Sequence, residues 1–182
     1  MAGHVGTQEL ATQGLVLSTT GAASNVTWWD QSNMTNTAFA HKAGTTSQQG
    51  ANIIAYCFAP VAGFSAFGSY DANGSSDGPF QFTGFQVKWL MIKGSSYASN
   101  WNIFDTTRDT DNPAILQLRA NLSSAEQSTT SGNSAILIDF LSNGFKLRAG
   151  AGSANDVNQS SQSYIWAAFA ENPFQANGGL AR

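Results

Sequence analysis

Two aspartates beside an arginine are the first residues whose spacing could support chemistry. Asp105 and Asp109 flank Arg108 in a segment rich in Asp and Thr. Two nearby carboxylates could form the acid pair of a glycosidase or bind a cation. The same residues suit a polar turn in which Arg108 pairs with a carboxylate. We favour the turn, because Asp30 also ends an aromatic segment, 75 residues before Asp105.

A second oxygen-rich segment contains Asp71, Asn73 and Asp77 and resembles the start of a calcium-binding loop. Calcium takes about six to eight oxygen ligands, and the glutamate that usually closes such a loop is missing. We therefore expect a glycine-rich hairpin loop and keep the three residues as weak calcium candidates. No other metal and no cofactor is expected, because two histidines and one cysteine are too few for a zinc site.

Tryptophan and arginine supply the candidate ligand-binding residues Trp28, Trp29, Trp101 and Arg108. Trp28 and Trp29 are neighbours, so a strand would point their indoles to opposite faces. An exposed indole can stack on a sugar ring or pack in an oligomer interface. The alternative is that both indoles are buried between two layers, and the sequence does not choose between the two.

Scarce charge excludes several classes of partner and activity. Charged residues make up 10% of the 182 residues, and the net charge is −3. Lys and Arg form no run that could follow a phosphate backbone, so nucleic acid is not an expected partner. No apolar stretch approaches the ~20 residues of a membrane-spanning helix, so no membrane insertion is expected. His41 is the one plausible catalytic base for a serine hydrolase, so we do not expect an enzyme.

The candidate site residues must be positioned by the elements that the rest of the sequence forms. That sequence consists of short β-branched and aromatic runs separated by Gly, Asn, Asp, Ser and Pro. This pattern predicts an all-β protein with about 12 short strands, folded as a two-layer antiparallel β-sandwich of jelly-roll or lectin-like type. The run 51–59 is predicted to be a strand with Cys57 buried in it. Asn143 and Gly144 are predicted to form a type I′ turn between strands at 135–141 and 144–149.

The chain partly repeats itself. Three pairs of segments align without gaps: 15–18 on 90–93, 25–30 on 100–105, and 53–59 on 164–170. Repeats of this kind are supersecondary units that bury their apolar faces against one another. The chain then divides into four parts: a flexible N-terminal arm (1–14), a shortened first repeat (15–62), a complete β-sandwich module (64–175) and a C-terminal tail (176–182).

Several long strings between residues 51 and 175 can be compared with known families. They include Tyr56-Cys57-Phe58-Ala59-Pro60-Val61-Ala62-Gly63-Phe64, Lys88-Trp89-Leu90-Met91-Ile92-Lys93, Asn100-Trp101-Asn102-Ile103-Phe104-Asp105 and Tyr164-Ile165-Trp166-Ala167-Ala168-Phe169-Ala170. This part of the chain resembles a repeat module of tail, fibre and appendage proteins in the virions of tailed bacteriophages, notably marine phages. The resemblance implies a role on the virion surface and supplies no catalytic residues.

From this resemblance we expect a structural virion protein, a tail fibre or appendage component that binds the host surface. It would be assembled in the host cytoplasm and exposed on the particle, with other virion proteins and a host cell-surface glycan as partners. The alternative is a head decoration or knob protein with a purely architectural role; a glycan-cleaving enzyme is less favoured. Because the shortened repeat could leave a sheet edge uncovered, we expect a homo-oligomer such as a trimer.

Overall fold

The computed structural model describes residues 13–26, 35, 37, 54–128, 136–148 and 156–173. The candidate residues Trp28 and Trp29 lie outside these ranges. Within them the protein has eleven β-strands and no helix. The described residues therefore also lack a helix of the length and hydrophobicity that crossing a bilayer requires.

The strands follow one another along the chain with turns and loops between them. Their bounds are β1 (Gln13–Gly14), β2 (Ser24–Asn25), β3 (Ser65–Asp71), β4 (Phe80–Phe82), β5 (Val87–Gly94), β6 (Trp101–Asp105), β7 (Leu116–Arg119), β8 (Gln127–Ser128), β9 (Ile138–Leu141), β10 (Gly144–Leu147) and β11 (Ser163–Ala170).

Three antiparallel sheets result. The largest has the order β3-β11-β5-β6-β7-β8, the second has the order β4-β10-β9, and β1 pairs with β2. The long strands β11 and β5 lie at the centre of the large sheet. Their apolar residues alternate, so Trp166 and Ala168 of β11 face one side while Ala167 and Phe169 face the other.

The six-stranded and three-stranded sheets pack face to face around one core. The Phe145 ring of β10 meets the Trp166 indole of β11 edge-on, with 5.4 Å between ring centroids. The buried apolar side chains of this core include Tyr70, Val87, Leu90, Ile92, Phe104, Ile138, Phe140, Phe145, Leu147, Tyr164 and Trp166. The predicted all-β sandwich is confirmed, and both of its layers come from residues 65–170.

The β9–β10 hairpin is present, but the predicted turn is wrong. Leu141 pairs with Gly144, so the turn residues are Ser142 and Asn143. Neither of them has a positive φ, and nor does Gly144, so the turn is not of type I′. Gly144 lies within β10, where an added Cβ would collide with the backbone oxygen of Gln81. Close approach of strand β4, rather than turn geometry, therefore requires this glycine.

The predicted strand at 51–59 is also corrected where it is described. Residues 54–60 form no strand and are exposed, and Cys57 is a free, exposed cysteine rather than a buried one. The sandwich core lies on the opposite side of the six-stranded sheet. No second layer among the described residues covers residues 54–60, so their apolar side chains remain in water.

Candidate functional site

Aromatic side chains collect on the face of the six-stranded sheet that points away from the core. Phe67, Trp89 and Phe169 face outward from three adjacent strands, and Phe58 and Phe64 join them from the preceding chain. We call these five residues the aromatic face. The Phe169 ring lies at its centre, with centroid distances of 5.6 Å to Trp89, 5.9 Å to Phe64, 6.0 Å to Phe58 and 6.1 Å to Phe67.

The packing of this face leaves apolar surface in water. Phe58 is 54% exposed although it touches Phe67 and Phe169. Tyr56 and Ile54, which precede it, are 79% and 78% exposed. A shallow apolar groove continues along the same face between Phe67, Met91, Ile165 and Ala167. An exposed apolar surface of this kind is typical of an interaction site.

Trp101 lies at the far end of the groove, where the residues 13–26, here called the N-terminal segment, cross the sheet. Its indole is 2% exposed, and its Nε1 donates a hydrogen bond to the Val16 carbonyl at 3.1 Å. The ring therefore cannot serve as an open platform for a sugar. Of the candidate binding residues, the structure removes Trp101 from the surface because the N-terminal segment covers it.

Lys93 lies beside Trp101 and is buried. Its Nζ donates to the carbonyls of Gly94 at 2.6 Å and Thr20 at 3.3 Å, and it lies 6.0 Å from the Trp101 ring centroid. Burial lowers the pKa of Lys93 to about 8, and the carboxylate of Asp156 opposes this shift. The buried amine ties the N-terminal segment to the sheet. No sequence signal marked it, because a lysine in a strand is usually exposed.

Arg108 forms the turn that was predicted for it. Its Nε donates to Asp105 Oδ2 at 2.5 Å, and its Nη1 contacts Glu126 Oε2. Asp105 Oδ1 also accepts hydrogen bonds from the backbone nitrogens of Thr107 and Arg108, at 3.1 and 2.9 Å. Partial burial opposes ionisation, but these hydrogen bonds hold the pKa of Asp105 below its usual value. The guanidinium is thus occupied by two carboxylates of its own chain.

Asp109, the other candidate acid, accepts backbone hydrogen bonds at the start of strand β7. Its Oδ2 accepts hydrogen bonds from the nitrogens of Ile115 at 2.5 Å and Leu116 at 2.7 Å, and the side chain is buried. Asp105 and Asp109 are therefore both committed to local structure. Their arrangement does not favour the acid pair of a glycosidase, which must be open to the substrate.

The three weak calcium candidates do not converge. Asp71 accepts a hydrogen bond from Ser163 Oγ at 2.6 Å, whereas Asp77 pairs with Lys146 Nζ at 2.6 Å. The hydrogen bond from Lys146 lowers the pKa of Asp77. Asn73 holds the loop by donating to the Asp77 carbonyl. The loop joins β3 of one sheet to β4 of the other, so it is a crossover rather than the predicted hairpin loop.

A buried polar cluster between β6, β7 and the loop at 156–158 was missed by the sequence analysis. Asn102 and Gln117 are buried and hydrogen-bonded to each other, and Asn102 Nδ2 also donates to the Asp156 carbonyl at 3.3 Å. Arg119 pairs with Asp156 at 3.3 Å. These residues close one end of the core. Isolated Asn and Gln residues in apolar strands gave no periodic signal of this arrangement.

Comparison with known proteins gives one match. A family model described as a domain of unknown function, DUF7483, matches residues 2–173. No curated protein and no solved structure matches the chain. The match spans nearly the whole chain, including both layers of the sandwich and the N-terminal segment.

Proposed function

The chain belongs to the DUF7483 family, and we propose that it is a structural protein of a tailed-bacteriophage virion, a tail fibre or appendage component that binds the host surface. One observation supports an assembly role above the others. The aromatic face and the residues before it expose Ile54, Tyr56 and Phe58 on a chain with few charges. When another protein covers such a surface, the free energy of the system falls because apolar area is removed from water.

Host binding would depend on several copies acting together. Each contact to a cell-surface glycan or protein would be weak, but a particle that carries many copies of the binding site would attach with high overall avidity. The resemblance of residues 51–175 to phage virion modules supports this role.

A purely architectural role, as a head decoration or knob protein, is the second candidate. Two of the candidate glycan-binding residues are not open to a ligand, and this favours the architectural role. Trp101 is covered by the N-terminal segment, and Arg108 is paired with Asp105 and Glu126. Both roles share the same all-β scaffold and the same need for virion partners.

Electron microscopy of phage particles that carry this protein tests the proposal. Antibodies against the purified chain, detected with gold particles, are expected to label the tail or its appendages. Labelling of the head would support the decoration role instead, and an absence of labelling on intact and on opened particles would refute a virion role. In a second step, purified chain added to host cells should slow phage adsorption; no slowing would remove host binding from the proposal.

A further inference from the structure

Residues 54–59, here called the exposed segment, have the sequence of a sheet strand. Large apolar residues alternate with small ones in Ile54-Ala55-Tyr56-Cys57-Phe58-Ala59. This period of two would place the large side chains on one face of a strand and the small ones on the other. The segment is nevertheless not part of any sheet among the described residues.

The internal repeat shows what such a sequence does elsewhere in the chain. The exposed segment aligns with residues 165–170, which lie within β11. There the strand is paired on both edges, with β3 on one side and β5 on the other. The same pattern is therefore fully paired in the complete module and has no strand partner in the exposed segment.

The exposed segment also leaves a large apolar area in water. Ile54, Tyr56 and Phe58 together expose on the order of 400 Å². This is about half of the ~800 Å² that each partner buries in a standard protein–protein interface. Val61, which is 41% exposed, extends the same surface. A further contribution of about the same size would bring the area to that of a stable dimer.

A matching acceptor lies next to the exposed segment. β3 pairs with β11 along one edge, and its other edge carries, among the described residues, the bridge from Ser65 to Val61 and a hydrogen bond from Ser65 Oγ to the Ala59 carbonyl at 2.9 Å. β3 has seven residues, whereas the other outermost strands of the two large sheets, β8, β4 and β9, have two, three and four. A six-residue segment therefore fits β3 best in length.

We propose that the exposed segment of one copy adds as a strand to the edge of β3 opposite β11 in a second copy of this chain. Each copy would donate one strand and accept one. In a closed dimer or trimer, every exposed segment and every β3 edge would then be paired by backbone hydrogen bonds. Tyr56 and Phe58 would extend the partner's aromatic face. The small residues would face the side on which Gly68 touches the Trp166 indole, where an added Cβ would come within 2.6 Å of the ring.

This inference rests on the proposed function, in which several copies act together, but it is tested on purified full-length protein, so its failure does not decide the location in a virion. Analytical ultracentrifugation is expected to show a concentration-dependent oligomer. Tyr56→Lys would place a charge in the buried strand, and Ala55→Pro would remove a backbone donor. Each is expected to weaken association at least ten-fold while leaving the far-UV circular dichroism of the monomer unchanged.

Phe82→Lys is the matched control, because Phe82 is 67% exposed but lies on β4 of the other sheet. It should keep the wild-type association. A monomeric wild-type protein, a Tyr56→Lys variant that associates normally, or equal loss in Phe82→Lys would overturn the proposal. Hydrogen exchange decides the occupant: amides of residues 54–59 should gain protection only at concentrations where the oligomer forms, and protection in the monomer would assign them to the chain's own sheet.

Discussion

Lys93 is a buried cation, and no carboxylate in the described part of the chain forms a salt bridge with it. Its ammonium is held by the carbonyls of Thr20 and Gly94 and by Ser99 Oγ, while Asp156 acts on it through space. Desolvation penalises the charged form, which is why the pKa of Lys93 falls to about 8. Tyr97 lies nearby, and burial together with its hydrogen bond to Tyr164 raises the pKa of the Tyr97 hydroxyl.

Lys93 should make stability rise with pH. The unfolded chain keeps this proton up to pH 10.5, whereas the folded protein releases it near pH 8, so folding releases a proton between these values. From pH 7.5 to 9.5 we expect urea unfolding to show a gain on the order of 1–2 kcal/mol. Buried tyrosines with raised pKa values reduce stability only as the unfolded tyrosines ionise near pH 10.

The Lys93→Met variant should lose this gain, because methionine fills much of the same space without a titrating group. Lys88→Met is the control: Lys88 is partly exposed and pairs with Glu171, a carboxylate that titrates at acid pH. It should keep the alkaline gain. An unchanged pH profile in Lys93→Met would contradict the role given to this lysine.

At the scale of elements, the Asn143-Gly144 dipeptide predicted the position of the β9–β10 hairpin correctly but predicted the wrong reason for the glycine. Asn143-Gly144 correctly marks the end of a hairpin. Gly144, however, is the first residue of β10 and pairs with Phe82 of β4 as well as with Leu141. The Phe80 ring also lies 3.0 Å from the position that a Cβ would take. Three strands thus meet where there is no room for a side chain.

Gly144→Ala is therefore expected to destabilise the protein although its φ is negative. The new methyl group must push β4 away from β10, at a cost of about 2–4 kcal/mol in urea unfolding. Asn143→Ala, one residue earlier in the exposed turn, should change stability by less than about 0.5 kcal/mol. A type I′ turn would instead make both substitutions costly, because both residues would need a positive φ, so a loss of more than about 1 kcal/mol in Asn143→Ala would restore the sequence-based interpretation.

At the scale of the whole molecule, two parts are joined very differently. β11 pairs over its length with β3 and β5, and its inner face lies in the core. The N-terminal segment, by contrast, is attached to the sheet by a few hydrogen bonds, including Ala23 N to the Ser95 carbonyl at 2.8 Å and Ser99 N to the Thr20 carbonyl at 2.9 Å. Few buried apolar contacts accompany them.

Native-state hydrogen exchange should separate these two parts. Amides of the N-terminal segment are expected to exchange through local opening, whereas those of β5 and β11 should exchange only through global unfolding. Trp101→Phe removes the indole donor to Val16 and should speed exchange in the N-terminal segment without affecting β11. Equal protection of both parts in the wild-type protein would show that they unfold as one unit.

Short-range patterns predicted a large part of this protein. Short β-branched and aromatic runs between turn residues predicted the sandwich, and the Asp105–Arg108 spacing predicted its turn, because both features depend on neighbours a few residues away. The buried roles of Lys93, Asn102 and Gln117 could not be predicted. Their burial depends on the N-terminal segment and on the loop at 156–158, which the fold brings in from far along the chain.

The sequence by itself therefore determined the all-β class and the turn at Asp105–Arg108, since strand propensity and turn chemistry depend on a few adjacent residues. Only the tertiary structure decided which strand-like segments are covered. Residues 54–59 and β11 share one pattern, yet β11 is paired on both edges and the exposed segment is not. Trp101 is covered while Tyr56 remains in water. Burial is a property of the surfaces that meet in space, and a local sequence pattern does not specify its partner.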